Sequence, residues 1–384
     1  MTRQVALYLP TADDLHGALL PVAGRPVAFR ALVHAVRAGA RSVGVPAVFR
    51  GTAVETAIDA SARVRTATRW LDHERLADTT TVLVPASALA PPAALATLLA
   101  AAPPAMLAAS AHDGAAMLVA AHLTGALASA LEAGTPVADE LGRALKSREA
   151  AMLAPDAWHV RVRDLPSARR AEDRLFAVLG SAIDTRLDRA LHRRLSRPVT
   201  RAAVALGITP NPISVASLVV GLLAAWCLWL GTAGAAVAGL AVYVTAVVLD
   251  HADGEVARLT LTESRVGEWL DIAVDTIVHA AMVVAMGLTA ERIAGGGAAL
   301  GIIGALGVVA SAAVAKRWPA TDATDSIGAT LQNLGSRDGF YTMLVLFITA
   351  LAIAPAALPW LMIIVALGSH AYWLARATYT LRHR

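Results

Sequence analysis

The chain has 384 residues, of which 57% are hydrophobic and 16% charged, against a charged share of about 25% in soluble domains; with a mean hydropathy of +0.57, this composition argues against a wholly soluble enzyme. Lys and Arg number 33 against 29 Asp and Glu, a net charge of +4, which excludes nucleic-acid binding in the absence of any zinc-finger or stacking-aromatic pattern. The single cysteine, Cys227, excludes an intrachain disulfide and a cysteine-based metal site.

The chain opens with an apolar core of about six residues, short of the roughly 7–15 of a signal peptide, so the first part is expected to stay in the cytoplasm. Residues 1–165 alternate short β-type runs (Val5–Leu9, Ser42–Phe49, Thr80–Pro85, Ala116–Ala120 and Trp158–Val162) with Ala-rich helical stretches. Such alternation predicts an α/β domain with a largely parallel sheet. A linker region follows over 166–206. Within it Leu187, Leu191 and Leu195 recur every four residues among Arg186, Arg189, Arg193, Arg194 and Arg197. This predicts a basic amphipathic helix, lying on an anionic lipid surface or solvated as a linker, ended or kinked at Pro198. Asn211 and Pro212 then suit a helix start.

From 207 to 384 the text is dominated by apolar runs, measured against the roughly 20 residues needed to cross about 30 Å of hydrocarbon. Six spans are predicted: 213–230, 235–249 continuing to 258, 267–288, 294–315, 340–353 and 358–377, the fifth being short. With both termini inside, Arg258, Arg265, Lys316, Arg317, Arg337, Arg376, Arg382 and Arg384 fall on the cytoplasmic side and only Arg292 outside, as the positive-inside rule requires. Trp226, Trp229, Trp318, Trp360 and Trp373 fall near span ends as interfacial anchors do.

Four aspartates interrupt these spans. At about 2.5–3.5 kcal/mol for each charge at a helix centre, something must compensate them. Asp250 and Asp253 are three apart near the end of the second span, and Asp271 and Asp275 are four apart near the start of the third, so each pair shares a helix face. Consecutive spans run antiparallel, which puts both pairs at one depth. Four carboxylates form an all-oxygen site suited to Mg²⁺ or Mn²⁺. Gly254, Ala257 and Gly267 clear bulk where a ligand would approach, and Arg258 offers a fork for phosphate oxygens. The competing reading is a cation-binding or transport protein, but transporter sites lie near the midplane on broken helices. His251 is turned about 100° from Asp250, and His279 lies one turn beyond Asp275; both are expected to make polar contacts within the bundle.

The arrangement Asp250-x2-Asp253-Gly254-x2-Ala257-Arg258-x8-Gly267-x3-Asp271-x3-Asp275 resembles, at every fixed position, the signature of the CDP-alcohol phosphotransferase family. The resemblance implies six transmembrane helices and a homodimer. It also implies a reaction in which an alcohol hydroxyl attacks a CDP-linked donor, giving a phosphodiester and CMP. It makes Asp250, Asp253, Asp271 and Asp275 the ligands of two divalent ions, Asp275 also the general base, and Asp250, Gly254, Ala257, Arg258, Gly267 and Asn211 the CDP pocket. The donor is of the CDP-diacylglycerol or CDP-inositol type. Lys316, Arg317 and Arg337, with Ser336 beside the last, are candidates to bind the phosphate of an acceptor such as inositol phosphate or glycerol phosphate, or to serve topology alone.

The stretch from Ala171-Glu172 to Thr209-Pro210-Asn211 resembles the junction in proteins that fuse a nucleotidyltransferase-like domain to this membrane domain. The N-terminal half shares an opening strand and Gly24-Arg25-Pro26-Val27 with that fold. It departs where the Gly-rich loop should be: Pro10-Thr11-Ala12-Asp13-Asp14-Leu15-His16 is acidic, the only lysines are Lys146 and Lys316, and Thr80–Pro85 runs into Ala86-Ser87-Ala88 without a metal-binding Asp. A non-catalytic domain is expected, with Asp13, Asp14 and Asp113 either binding a metal or, on the simpler account, solvated at its surface.

Overall fold

The structure, a computed structural model, describes residues 3–107, 114–146, 151–152, 157–180, 185–318 and 337–382. Asp113, Ser336 and Arg384 lie outside the described residues. The chain divides into two compact units, Met1–Leu179 and Gly180–Arg384.

The first unit is mixed α/β. Its main sheet has strands β1 (Gln4–Tyr8), β2 (Val43–Val45), β3 (Thr68–Trp70), β4 (Thr81–Pro85), β5 (Ala105–Met106), β6 (Met117–Val119) and β7 (Ala151–Met152), in the spatial order β7-β5-β6-β4-β1-β2-β3. β1 pairs in parallel with β4 (Ala6 opposite Leu83) and with β2 (Ala6 opposite Gly44). Val5 to Tyr8 are all buried, as expected of a central strand covered on both faces, whose sequence is a continuous apolar run. β6 runs antiparallel to β4 and β5, so the sheet is mixed. The run Trp158–Val162 contributes only Val160–Arg161, paired with Ala88–Leu89 outside this sheet.

Asp14 corrects the expectation of a solvated acid. It is fully buried, and its carboxylate accepts bonds from Thr11 N and Oγ1 (both 2.7 Å), Ser87 Oγ (2.5 Å) and Arg161 Nε (2.8 Å). Burial pushes its pKa up, but these donors outweigh burial and hold it below the usual carboxylate value. Only its neighbour Asp13 is exposed. Gly24 takes φ +77 in the hairpin of Pro21–Val22 and Arg25–Pro26. Helix α1 (Val27–Arg37) holds that hairpin through Arg30, which donates to the carbonyls of Val22 (2.6 Å) and Ala23 (2.9 Å), and Glu172 on α2 (Leu165–Ala177) accepts from Ala23 N–H at 2.9 Å.

The second unit is helical. A π-helical turn, Asp188–His192, leads into α3 (Arg193–Ala205), followed by α4 (Pro210–Trp229), α5 (Ala233–Thr260), α6 (Arg265–Ala294), α7 (Ala298–Arg317), α8 (Arg337–Ile353) and α9 (Leu358–Arg382). Pro198 lies inside α3 and does not end it. The face α3 buries is polar. Arg193 Nη1 (2.8 Å), Ser196 Oγ (2.9 Å) and Thr200 Oγ1 (2.6 Å) all donate to the carboxylate of Glu255 on α5, which is wholly buried. Ala203 packs beside them with Ile213, Ala252 and Val256, while Leu191 and Leu195 face outward.

Five helices are long and apolar enough to cross a membrane: α4, α5, α6, α7 and the segment Pro355–Arg382 that contains α9. The sequence predicts six spans; among the described residues five reach this length, and α8, at the fifth predicted span, has 17 residues, about 25 Å at 1.5 Å per residue. The bundle buries Leu228, Tyr243, Val278, Met282, Phe347 and Met362 inside and leaves Val219, Leu223, Trp226, Ile302 and Trp360 exposed. Helices apolar on both inner and outer faces are those of a lipid-surrounded bundle. Close approach of α6 and α7 rests on two glycines. A Cβ on Gly287 would lie 2.6 Å from Gly301 Cα, and one on Gly301 would lie 2.9 Å from Gly287 Cα.

Candidate active site

α5 and α6 are joined by a short turn in which Leu261 takes a left-handed conformation (φ 58) and Ser264 caps α6, its hydroxyl accepting from Gly267 N–H at 3.0 Å. The two helices therefore return antiparallel and bring the aspartates of one end together. Carboxylate oxygens of Asp250, Asp253 and Asp271 lie within 4.8 Å of one another. Asp250 and Asp253 are buried, whereas Asp271 is exposed, so the group has a dry wall on α5 and an open one on α6. Three carboxylates this close repel unless a cation or protons intervene. An all-oxygen donor set of this kind fits a hard divalent ion.

Asp275 stands outside that trio. Its Oδ2 is 3.5 Å from Arg337, which also pairs with Asp250. Arg337, expected among the acceptor-binding cations, is thus the counter-charge of the aspartate site itself. Lys316 is elsewhere: it pairs with Glu268 and lies over the Trp269 ring, 4.9 Å from its centroid. Arg317 is exposed, so the structure does not gather the three basic residues into one cluster.

The small residues sit where they leave room. A Cβ on Gly254 would come 3.2 Å from Arg258 Nη1, and one on Gly267 would meet Ser264 Oγ at 3.2 Å and Asn211 Oδ1 at 3.8 Å. Asn211, at the start of α4, is therefore brought beside Gly267 across the helix interface. Gly254, Ala257 and Arg258 are half-buried.

Sequence reasoning missed several participants. Ser214 Oγ donates to Asp253 Oδ2 at 2.5 Å; it lies one turn after Asn211, a spacing that marks the same helix face. His279 meets Tyr243 OH through Nε2 at 2.8 Å and the Asp275 carbonyl through Nδ1 at 2.6 Å, the polar contact within the bundle expected of it. His251 instead faces Asp188 and His192, whose i, i+4 spacing was the available signal. Oxygen or nitrogen atoms of these three also lie within 4.8 Å of one another.

Residues 207–373 match the CDP-alcohol phosphatidyltransferase family, a range that takes in every aspartate of the trio, Asp275 and Arg337. These residues are a CDP-alcohol phosphatidyltransferase domain. No curated protein matches the chain significantly. The chain accordingly carries membrane CDP-alcohol phosphotransferase activity, and its Asp and His clusters are consistent with aspartate-dependent, metal-assisted transfer. The CDP-alcohol phosphatidyltransferase domain takes in α4 through most of α9, and the three clustered aspartates come from α5 and α6.

Proposed function

We propose that this enzyme moves a substituted phosphate from a CDP-linked donor, of the CDP-diacylglycerol or CDP-inositol type, to the hydroxyl of a second alcohol with release of CMP. The observation that carries the reading is the convergence of Asp250, Asp253 and Asp271 within 4.8 Å inside the matched domain. Asp250, Asp253, Asp271 and Asp275 would hold two divalent ions, Mg²⁺ or Mn²⁺, which when bound neutralise the diphosphate and the leaving CMP.

The chain's own residues supply the rest. Gly254, Ala257, Arg258, Gly267 and Asn211 line the gap for the CDP moiety, with no side-chain bulk at the two glycines. Asp275, half-exposed and next to Arg337, takes the proton of the attacking hydroxyl. The same adjacency supports Arg337 as the cation nearest an acceptor's phosphate, in an acceptor such as inositol phosphate or glycerol phosphate. Lys316 and Arg317 lie farther along α7 and are the weaker part of that assignment. The domain division into 1–165, 166–206 and 207–384, a nucleotidyltransferase-like but non-catalytic first domain, a six-span bundle completed by α8, a homodimer, and a cytoplasmic-facing site in the cell's inner membrane complete the reading.

The test is CMP release by the purified protein in detergent with Mg²⁺ or Mn²⁺. CDP-diacylglycerol and CDP-inositol are each crossed with inositol phosphate, glycerol phosphate, inositol and serine. Turnover with one pair, lost in Asp275→Asn while CDP still binds, is the expected result. Near-normal rates in Asp275→Asn refute the base assignment, and an unchanged acceptor KM in Arg337→Gln refutes the phosphate contact.

A further inference from the structure

Beside the aspartate site lies a second set of ligating atoms that the transfer reaction does not use. Asp188 and His192 come from the π-helical turn before α3, and His251 comes from α5. All three are buried, His192 completely. Asp188 Oδ1 is 2.9 Å from His192 Nδ1 and 3.1 Å from His251 Nε2.

Each of the three has its other polar atom held from behind. Asp188 Oδ2 accepts from Thr185 N–H at 2.9 Å, His192 Nε2 meets Tyr341 OH at 3.0 Å, and His251 Nδ1 meets the Val247 carbonyl at 2.9 Å. Metal-binding histidines show this pattern, one nitrogen on the ion and the other on an oxygen of the protein. His251 also faces an acceptor at each ring nitrogen, the Val247 carbonyl at Nδ1 and Asp188 at Nε2, and a neutral ring donates to only one of them. If Nδ1–H donates to Val247, the bare Nε2 lone pair faces the Asp188 carboxylate. If Nε2–H donates to Asp188, the Nδ1 lone pair faces the Val247 carbonyl, with Arg337 Nη1 at 3.1 Å as its alternative donor. A cation on Nε2 removes the first conflict.

We propose that Asp188 Oδ1, His192 Nδ1 and His251 Nε2 bind one divalent transition-metal ion of the Zn²⁺ type, distinct from the ions of the aspartate trio. Two imidazoles and a carboxylate suit such an ion and not Mg²⁺. Tetrahedral bonds of about 2.0–2.1 Å set neighbouring ligand atoms about 3.3 Å apart, so the two rings need to withdraw from Asp188 by only a few tenths of an ångström. The fourth position is left to water. The ion fastens the turn that precedes the bundle to α5, one residue from Asp250. Arg337 stands between the two sites, paired with Asp250 and Asp275 and with its Nη1 3.4 Å from His251 Nε2, so it has to draw toward the aspartates when the ion binds. The inference does not rest on the identity of the donor or acceptor.

The test uses the full chain in detergent, stripped with chelator, dialysed against Zn²⁺ in the presence of excess Mg²⁺, and assayed for retained metal by mass spectrometry. Co²⁺ is titrated in parallel for visible ligand-field bands. One equivalent of Zn²⁺ and a Co²⁺ spectrum of tetrahedral intensity are expected. Both should be lost in His192→Ala and Asp188→Asn yet kept in Asp253→Asn. Tyr341→Phe, which removes only a hydroxyl, should weaken Zn²⁺ about 10-fold or more. Monodisperse wild-type protein that retains no Zn²⁺, or Zn²⁺ content unchanged in both His192→Ala and Asp188→Asn, overturns the proposal. A failure of CMP release with the metal count intact would count against the proposed substrates alone.

Discussion

Replacing Glu255 by Ala probes the contact on which the seating of α3 depends. The carboxylate is wholly buried and receives three donors from three consecutive turns of α3, one of them the guanidinium of Arg193, itself nearly buried. Removing it takes the carboxylate from a nearly buried guanidinium, at about 3–5 kcal/mol, and one acceptor from each of two hydroxyls, at about 1–3 kcal/mol each where no water reaches them. These terms overlap, so the expected loss is about 4–6 kcal/mol, with the larger share from Arg193. Glu255→Gln keeps an acceptor and should lose about half as much. The assay is thermal unfolding in detergent followed by size exclusion, run as a double-mutant cycle with Arg193→Met. Because Arg193→Met removes the guanidinium that lost its carboxylate, the double variant should be more stable than Glu255→Ala alone. If Glu255→Ala and Arg193→Met simply add, the ion pair contributes nothing and the reasoning fails.

Gly287→Ala should destabilise the bundle by about 1–3 kcal/mol, the usual range for overpacking, since its Cβ would meet Gly301 Cα at 2.6 Å; an unchanged melting temperature would show that α6 and α7 do not touch there. His34 governs a pH dependence of the first unit. Burial pulls its pKa down to about 4 while Nδ1 is bonded to the Ala90 carbonyl at 2.8 Å, so between pH 6.5 and 4 the unfolded state binds the proton and the folded state does not. Stability is full above about pH 6.5 and falls by about 3 kcal/mol as the pH drops to 4. Hydrogen exchange of α1 in the full chain should record the loss, and His34→Gln should flatten it; an identical profile in that variant would assign the effect to other groups.

The parts of this protein legible in sequence are those set by spacing along one helix. Asp250 with Asp253, and Asp271 with Asp275, could be placed on shared faces because three and four residues approximate one turn. Their convergence followed from a tight turn between two antiparallel spans. Strands β1 and β4 were equally readable, since a strand covered on both faces must be apolar throughout. What stayed hidden depends on distant segments. Arg337 is 87 residues from Asp250, and nothing local distinguishes a counter-charge from a topological arginine. Asp14 looked like a solvated loop acid because its partner Arg161 is 147 residues away. On α3 the leucine stripe drew attention to one face, while the face that packs is polar and gains its reason only from Glu255. The sixth span rests on composition alone, since α8 is an apolar run of 17 residues, shorter than the hydrocarbon is thick.

The lengths of α5 and α6 bear on how substrates arrive. At 28 and 30 residues, they measure about 42 and 45 Å at 1.5 Å per residue, against about 30 Å of hydrocarbon. Each exceeds the apolar slab by roughly two turns or more, and Asp253 and Asp271 lie about 10 Å from the helix ends that the turn joins. With that surplus on their side they would lie in the headgroup layer, where the proposed donor, if anchored by acyl chains, would diffuse in two dimensions and a dissolved sugar phosphate would arrive in three. A reaction held there draws on both supplies at once, and its rate would answer to the surface density of one reactant and the bulk concentration of the other.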